Sequence, residues 1–112
     1  MESKIEIGIT LDTDKIPSAM RWKADGAPAK GWKDARGMIL SLWDSEEQNA
    51  YRIDIWTKDM RVDEMNFFIF QTLNTLAETF ESATGNEEVA TRMRGFTEYF
   101  AEKTKIFDKP NS

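Results

Sequence analysis

The segment from Tyr51 to Phe80 changes from the hydrophobic period of a strand to that of a helix within a few residues. Before the polar joint at residues 57–59, apolar and charged residues alternate along YRIDIW, which is typical of an antiparallel strand with one wet face. After the joint, apolar residues recur at the spacing of an amphipathic helix. A chain with this change in its middle is predicted to place its strands before its helices.

Alternation upstream of the joint predicts four strands. The third is apolar on both faces, which favours a central strand or one that meets a neighbouring subunit. A loop rich in glycine and lysine precedes it and carries Trp32. Trp22 and Trp43 stand at alternating strand positions and are predicted to pack in the core or on a sheet face. The predicted strands are Lys4–Asp12, Ala19–Ala24, Ala35–Trp43 and Ala50–Trp56.

Two helices are predicted after the joint. The first begins between Asp59 and Asp63, either of which can cap its free N–H groups. Gly85 suits the left-handed position that ends a helix, and Asn86 can cap a second helix over Glu87–Lys103. The predicted apolar face of the first helix is Met65, Ile69, Leu73, Leu76, Phe80 and Ala83. That of the second is Val89, Met93, Phe96 and Phe100.

These elements predict an α+β fold, a four-stranded antiparallel sheet followed by two C-terminal helices packed as a hairpin on one face. The length of 112 residues fits a single α+β domain, predicted over residues 1–107. Residues 108–112 are predicted to form a frayed C-terminal tail.

The composition argues against several classes of function. The chain has neither cysteine nor histidine, which excludes a thiol nucleophile and the commonest general base and zinc ligand. The acids at each predicted helix start suit the helix dipole, and DTDK at residues 12–15 lacks the rest of a calcium loop. We therefore expect no enzyme, no cofactor and no metal. The net charge of −5 without a basic stripe predicts no binding to nucleic acid.

Hydropathy argues for a protein outside the membrane. No apolar run approaches the roughly 20 residues that span a bilayer, so we expect no direct membrane insertion. The first twelve residues alternate charge with isoleucine and differ from a signal peptide, so we expect a cytoplasmic protein.

Three aromatic residues are candidates for a partner or oligomer surface. Phe67 and Phe70 lie off the predicted apolar stripe of the first helix, and exposed aromatic clusters often mark interfaces. The alternative is that the second helix or a flanking loop covers both rings. Trp32 is the third candidate, although a ring folding back over the core is an equal alternative. The candidate surface predicts a homo-oligomer or a protein partner.

Several blocks resemble a known family. RIDIWTKDM at residues 52–60, followed by VDEM at 62–65 and QTL at 71–73, is similar to the central block of the gliding-motility-associated family GldC of Bacteroidota. Upstream, ILSLWD at 39–44 also fits, and AETF at 77–80, AT at 83–84 and FTEYFAEK at 96–103 resemble the closing part of that family. Arg61 stands where the family is expected to favour proline, which puts the helix start in question.

The resemblance implies a small cytoplasmic accessory protein of the gliding apparatus, which is linked to type IX secretion. Its expected partners are protein components of that machinery, and it brings no catalytic residues. The layout of strands followed by two helices also resembles SecB-type export chaperones, which assemble through sheets and bind unfolded clients. A holdase is therefore the alternative function.

Overall fold

The computed structural model describes residues 1–27 and 30–108. Contacts divide the chain into two compact units, Met1–Met60 and Arg61–Ser112. The first unit contains the strands and the second contains two C-terminal helices, so the predicted α+β class is confirmed. The elements are β1 (Ile5–Leu11), β2 (Pro17–Ala24), β3 (Lys33–Ala35), β4 (Gly37–Asp44), β5 (Asn49–Trp56), α1 (Val62–Thr84) and α2 (Glu87–Thr104).

The strands form two antiparallel sheets instead of the one four-stranded sheet that was predicted. One sheet has the order β1-β2-β3, and the other is the hairpin of β4 and β5. The predicted third strand is divided at Arg36, and the three-residue β3 falls mainly in the predicted loop. The packing of the helices on a sheet face and the single domain over residues 1–107 stay predictions. Of the predicted tail, residues 109–112 lie outside the described residues.

The three-stranded sheet has one apolar and one charged face. The pairing places Ile7 opposite Trp22 and Ile9 opposite Met20, as the predicted alternation requires. Met20 is only 4% exposed and is the large apolar side chain that this unit buries most deeply. On the other face Lys23 forms an ion pair with Glu6 at 3.3 Å.

Asp12 fixes the turn between β1 and β2. Its Oδ1 accepts hydrogen bonds from the N–H groups of Asp14 at 2.8 Å and Ile16 at 3.0 Å, while Lys58 Nζ donates to Oδ2 at 3.0 Å. The hydrogen bond from Ile16, and then that from Lys58, hold the pKa of Asp12 below its ordinary value of 3.8. The acid at the start of DTDK therefore closes a turn.

We expect Asp12→Ala to lower the midpoint of thermal unfolding at neutral pH. Because folding depresses this pKa, the carboxylate's contribution is fully present above 3.8 and is lost as pH falls through the lower folded value. The difference between wild type and variant should therefore shrink on acidification. Thermal melts from neutral pH to below pH 3.8 check this, with Asp14→Ala as the matched control. A difference that stays constant with pH would contradict the assigned contacts.

The helices join in a short turn that largely follows the prediction. Gly85 adopts the left-handed conformation with φ of 70°, and the Asn86 side chain accepts from the N–H of Val89 at 3.1 Å. At the start of α1, Arg61 is the N-cap residue, and its N–H donates to Glu64 Oε1 at 3.2 Å. The predicted aspartate caps are wrong, because Asp63 pairs with the Arg61 guanidinium at 2.9 Å and Asp59 accepts from Thr57. The helix start itself lies where it was predicted.

Small side chains line the contact between α1 and α2. Ala77 and Ala90 are both fully buried, and Thr97 and Ala101 follow along α2. Arg94 pairs with Glu81 across the helices at 2.7 Å. The predicted apolar faces are therefore partly wrong, because small residues let the two backbones approach while some of the larger side chains stay exposed. The exposed members of those faces include Leu76 (52%), Val89 (42%) and Phe96 (53%).

Candidate protein-binding surfaces

The phenylalanine cluster contains Phe67 and Phe70 of α1 and Phe107, which follows α2. The Phe107 ring meets both others edge to face, with centroid distances of 6.1 Å to Phe67 and 5.2 Å to Phe70. Phe67 remains 40% exposed and Phe107 65% exposed, while Phe70 is half-buried. The structure brings the two predicted residues together and partly covers them with a flanking segment. Phe107 carried no periodic signal, because it lies beyond the end of the helix.

Trp32 belongs to the strand unit and lies on the charged face of the three-stranded sheet. Arg21 and Lys23 of β2 sit over its ring, 4.7 Å and 5.0 Å from the centroid. Such cation–π contacts hold a ring against charged neighbours. The ring therefore folds back on the polar face of β2 and is 42% exposed. Its role in partner binding stays a prediction.

Exposed apolar side chains of the strand unit also lie together on one face of the hairpin of β4 and β5. Cross-strand partners Leu40 and Ile53, and next to them Leu42 and Tyr51, place their side chains on one face. Leu42 is 60% exposed, Tyr51 55% and Ile53 51%. We call these three residues the hairpin patch. At the other end of the same face, β4 helps to line an apolar pocket of about 270 Å³ with residues of β1 and β2.

Two tryptophans add to the exposed surface of the hairpin. Trp43 is 63% exposed and Trp56 is 58% exposed, both on the face opposite the hairpin patch. Of the two environments predicted for Trp43, the core and a sheet face, the structure shows the sheet face, because the hairpin of two strands leaves this side open. The apolar character of β4 on both faces was the signal in the sequence for this surface.

A smaller aromatic pair lies on α2. The rings of Phe96 and Tyr99 are 5.9 Å apart, and Lys103 Nζ lies 5.9 Å from the Tyr99 centroid. Tyr99 is 54% exposed, so this side of α2 also presents aromatic surface. Each unit thus carries apolar side chains suited to contact another protein.

Two acidic residues near the start of α1, Asp59 and Asp63, are used in local contacts. Thr57 is 1% exposed, and its hydroxyl donates to Asp59, which lowers the pKa of that carboxyl. The hydrogen bond from Arg61 likewise lowers the pKa of Asp63. Within residues 1–27 and 30–108, no three acidic side chains converge to hold a metal ion. In the same residues, no helix has the length and apolar character to cross a membrane.

Comparison with known proteins identifies the family to which this sequence is similar. A family model described as gliding motility-associated protein GldC-like matches residues 17–106, from the start of β2 to just beyond α2. The curated proteins and the solved structures contain no match.

Proposed function

The chain belongs to the GldC-like family of gliding motility-associated proteins, and from this premise we propose that it is a non-enzymatic accessory protein of the gliding and type IX secretion machinery. It acts in the cytoplasm by binding or stabilising another protein component, and it needs no cofactor. The surfaces that it offers are the hairpin patch, the phenylalanine cluster and the Trp32 ring.

The exposure of the hairpin patch is the observation that carries this proposal. Its three side chains are contiguous on one face, and each is more than half exposed. Contiguous exposed apolar surface is rare unless it serves an interface. Aromatic and aliphatic side chains of this kind form the centres of protein interfaces, where they lose contact with water on binding.

Affinity capture from the native cell with mass spectrometry tests the proposal. We expect the wild-type chain to recover a component of the gliding or type IX secretion machinery. The double variant Leu42→Lys and Tyr51→Lys should lose it, because lysine cannot be buried unpaired in an apolar contact. Val62→Lys, at a residue 79% exposed outside the hairpin, is the control and should retain it. Recovery of the same protein by the double variant would contradict the role of the patch.

The phenylalanine cluster gives a second test. We expect Phe67→Ser with Phe70→Ser to abolish partner association while the helical circular dichroism persists, at a stability cost of about 1–3 kcal/mol for the two lost ring pairs. Phe107→Ser is the matched control, because it removes the covering ring and leaves the two candidate rings in place. The control should keep the association. If all three substitutions simply unfold the helices, the cluster is an internal contact and not a docking surface.

A holdase chaperone is the second candidate function, favoured by exposed apolar side chains in both units. Unfolded clients bind such surfaces without sequence specificity, whereas a dedicated accessory protein recognises one partner. The two candidates are separated by aggregation assays with several unrelated unfolded proteins. Suppression of aggregation for all of them supports the chaperone, and failure together with capture of one partner supports the accessory role.

A further inference from the structure

The outer edge of β5 is unpaired in the described part of the chain, where its sheet ends. The Thr57 N–H donates to the Arg36 carbonyl at 2.8 Å, and continuing the register by one residue beyond Gly37 and Trp56 places these two residues opposite each other. Because hydrogen-bonded pairs alternate along an antiparallel ladder, Tyr51, Ile53 and Ile55 bond toward β4. The backbone groups of residues 50, 52, 54 and 56 therefore point outward. They form a ready donor and acceptor row for another strand.

We propose that a second copy of this chain pairs antiparallel along this edge. The two-fold axis of this dimer passes midway between Ile53 and the partner's Ile53. In this register Arg52 lies opposite the partner's Asp54, and Asp54 lies opposite the partner's Arg52. Such an isologous contact is self-complementary, since each residue meets the same partner on both sides of the axis. The occupant of the edge is thus another copy of the same strand.

Charge selects this register over its neighbours. Outward backbone groups pair only when even-numbered residues face even-numbered residues. An axis at residue 52 would set Arg52 against the partner's Arg52, and an axis at residue 54 would set Asp54 against the partner's Asp54. Directly opposed like charges destabilise a strand pair, whereas opposite charges stabilise it. Within one chain Arg52 and Asp54 are 2.9 Å apart, with side chains 58% and 43% exposed, so both are available at the edge.

The same register continues the apolar face of the hairpin across the axis. Ile53 lies opposite the partner's Ile53, and Tyr51 lies opposite the partner's Ile55. Because Tyr51 and Ile53 are 55% and 51% exposed, pairing removes apolar surface from water as well as satisfying the backbone.

The outer edge of β1, in the three-stranded sheet, is blunted. In β1 the register shifts between Thr10 and Leu11, and such an irregularity interrupts a ladder and discourages edge pairing. On β5 the free edge is also bounded, because the Lys58 N–H donates to the Pro17 carbonyl at 3.0 Å. The pairing is therefore confined to the stretch around Ile53.

Charge reversal tests the proposal with the full chain. Wild type should sediment with twice the mass of one chain, and dissociate on dilution. Arg52→Asp alone, and Asp54→Arg alone, should each weaken self-association by about tenfold or more, because both symmetric contacts become repulsive. A one-to-one mixture of these two variants should restore a dimer, since every Arg then faces an Asp. The double variant Arg52→Asp with Asp54→Arg should also dimerise, because it exchanges the charges symmetrically.

Three results would contradict this dimer. Monomeric wild type at the highest soluble concentration overturns the proposal, as does undiminished self-association of both single variants. Monomers in the mixture and in the double variant, with circular dichroism equal to wild type, also overturn it. Lys23→Glu, on the other sheet, is the control for a general charge effect and should leave the dimer intact.

Discussion

Met20→Ala is expected to lower the free energy of unfolding of the strand unit by about 2–3 kcal/mol. Met20 is 4% exposed and lies between Ile9 of β1 and Ala35 of β3. Truncation removes buried methylene groups and leaves a cavity that its neighbours fill only partly. Truncating a buried methionine to alanine costs about 2–5 kcal/mol of stability. We expect a loss in the lower part of this range, because Met20 already lines the pocket of about 270 Å³.

Tryptophan fluorescence during urea unfolding measures this effect, since all four tryptophans lie in the strand unit. Ile5→Ala is the matched control. It truncates an aliphatic side chain on the same face of the sheet, but at a residue 74% exposed, and should cost well under 1 kcal/mol. Equal losses for the two variants would contradict a core centred on Met20.

The strands were predictable where alternation extends over five or more residues. β1, β2 and β5 begin and end close to their predicted bounds, because isoleucine, methionine and tryptophan alternate there with charged residues. β3 was missed since three residues, Lys33–Ala35, carry no periodic signal and pair only because β2 lies beside them. The division at Arg36 is likewise set by partners distant in sequence, so local pattern does not reveal it.

The helix contact shows a different limit. Hydrophobicity scales rank Leu76, Val89 and Phe96 above alanine, so a stripe drawn from them was expected to face inward. The structure instead buries Ala77 and Ala90, because close packing of two helices favours small side chains at the contact. The sequence thus predicted both helices and their turn, but not which face of each meets the other.

The candidate surface residues were also predictable only in part, because local sequence does not show which distant segments they contact. Phe67 and Phe70 were singled out by their position off the main stripe, and this is a local property. Their contact with Phe107, and that of Trp32 with Arg21, depend on how segments return after a helix or loop. The unpaired edge of β5 required the register with β4, which only the structure supplies.

Ala90→Leu is expected to destabilise the helical hairpin by about 1–3 kcal/mol. Ala90 is fully buried on the helix that packs against α1, so added carbon atoms must push its neighbours apart. Intrinsic helix propensity does not explain such a loss, since alanine and leucine are both strong helix formers. The expected result is therefore a pure packing effect at the contact of α1 and α2.

Far-UV circular dichroism during thermal unfolding measures this loss, because the helices dominate that signal. Ala83→Leu is the matched control, the same substitution at an exposed residue of α1, and should change stability by less than about 0.5 kcal/mol. Tolerance of leucine at residue 90 would contradict the close contact. Recording tryptophan fluorescence in the same melts also tests the predicted single domain. If the two units unfold as one, Ala90→Leu must shift both signals together, whereas a shift in circular dichroism alone means independent units.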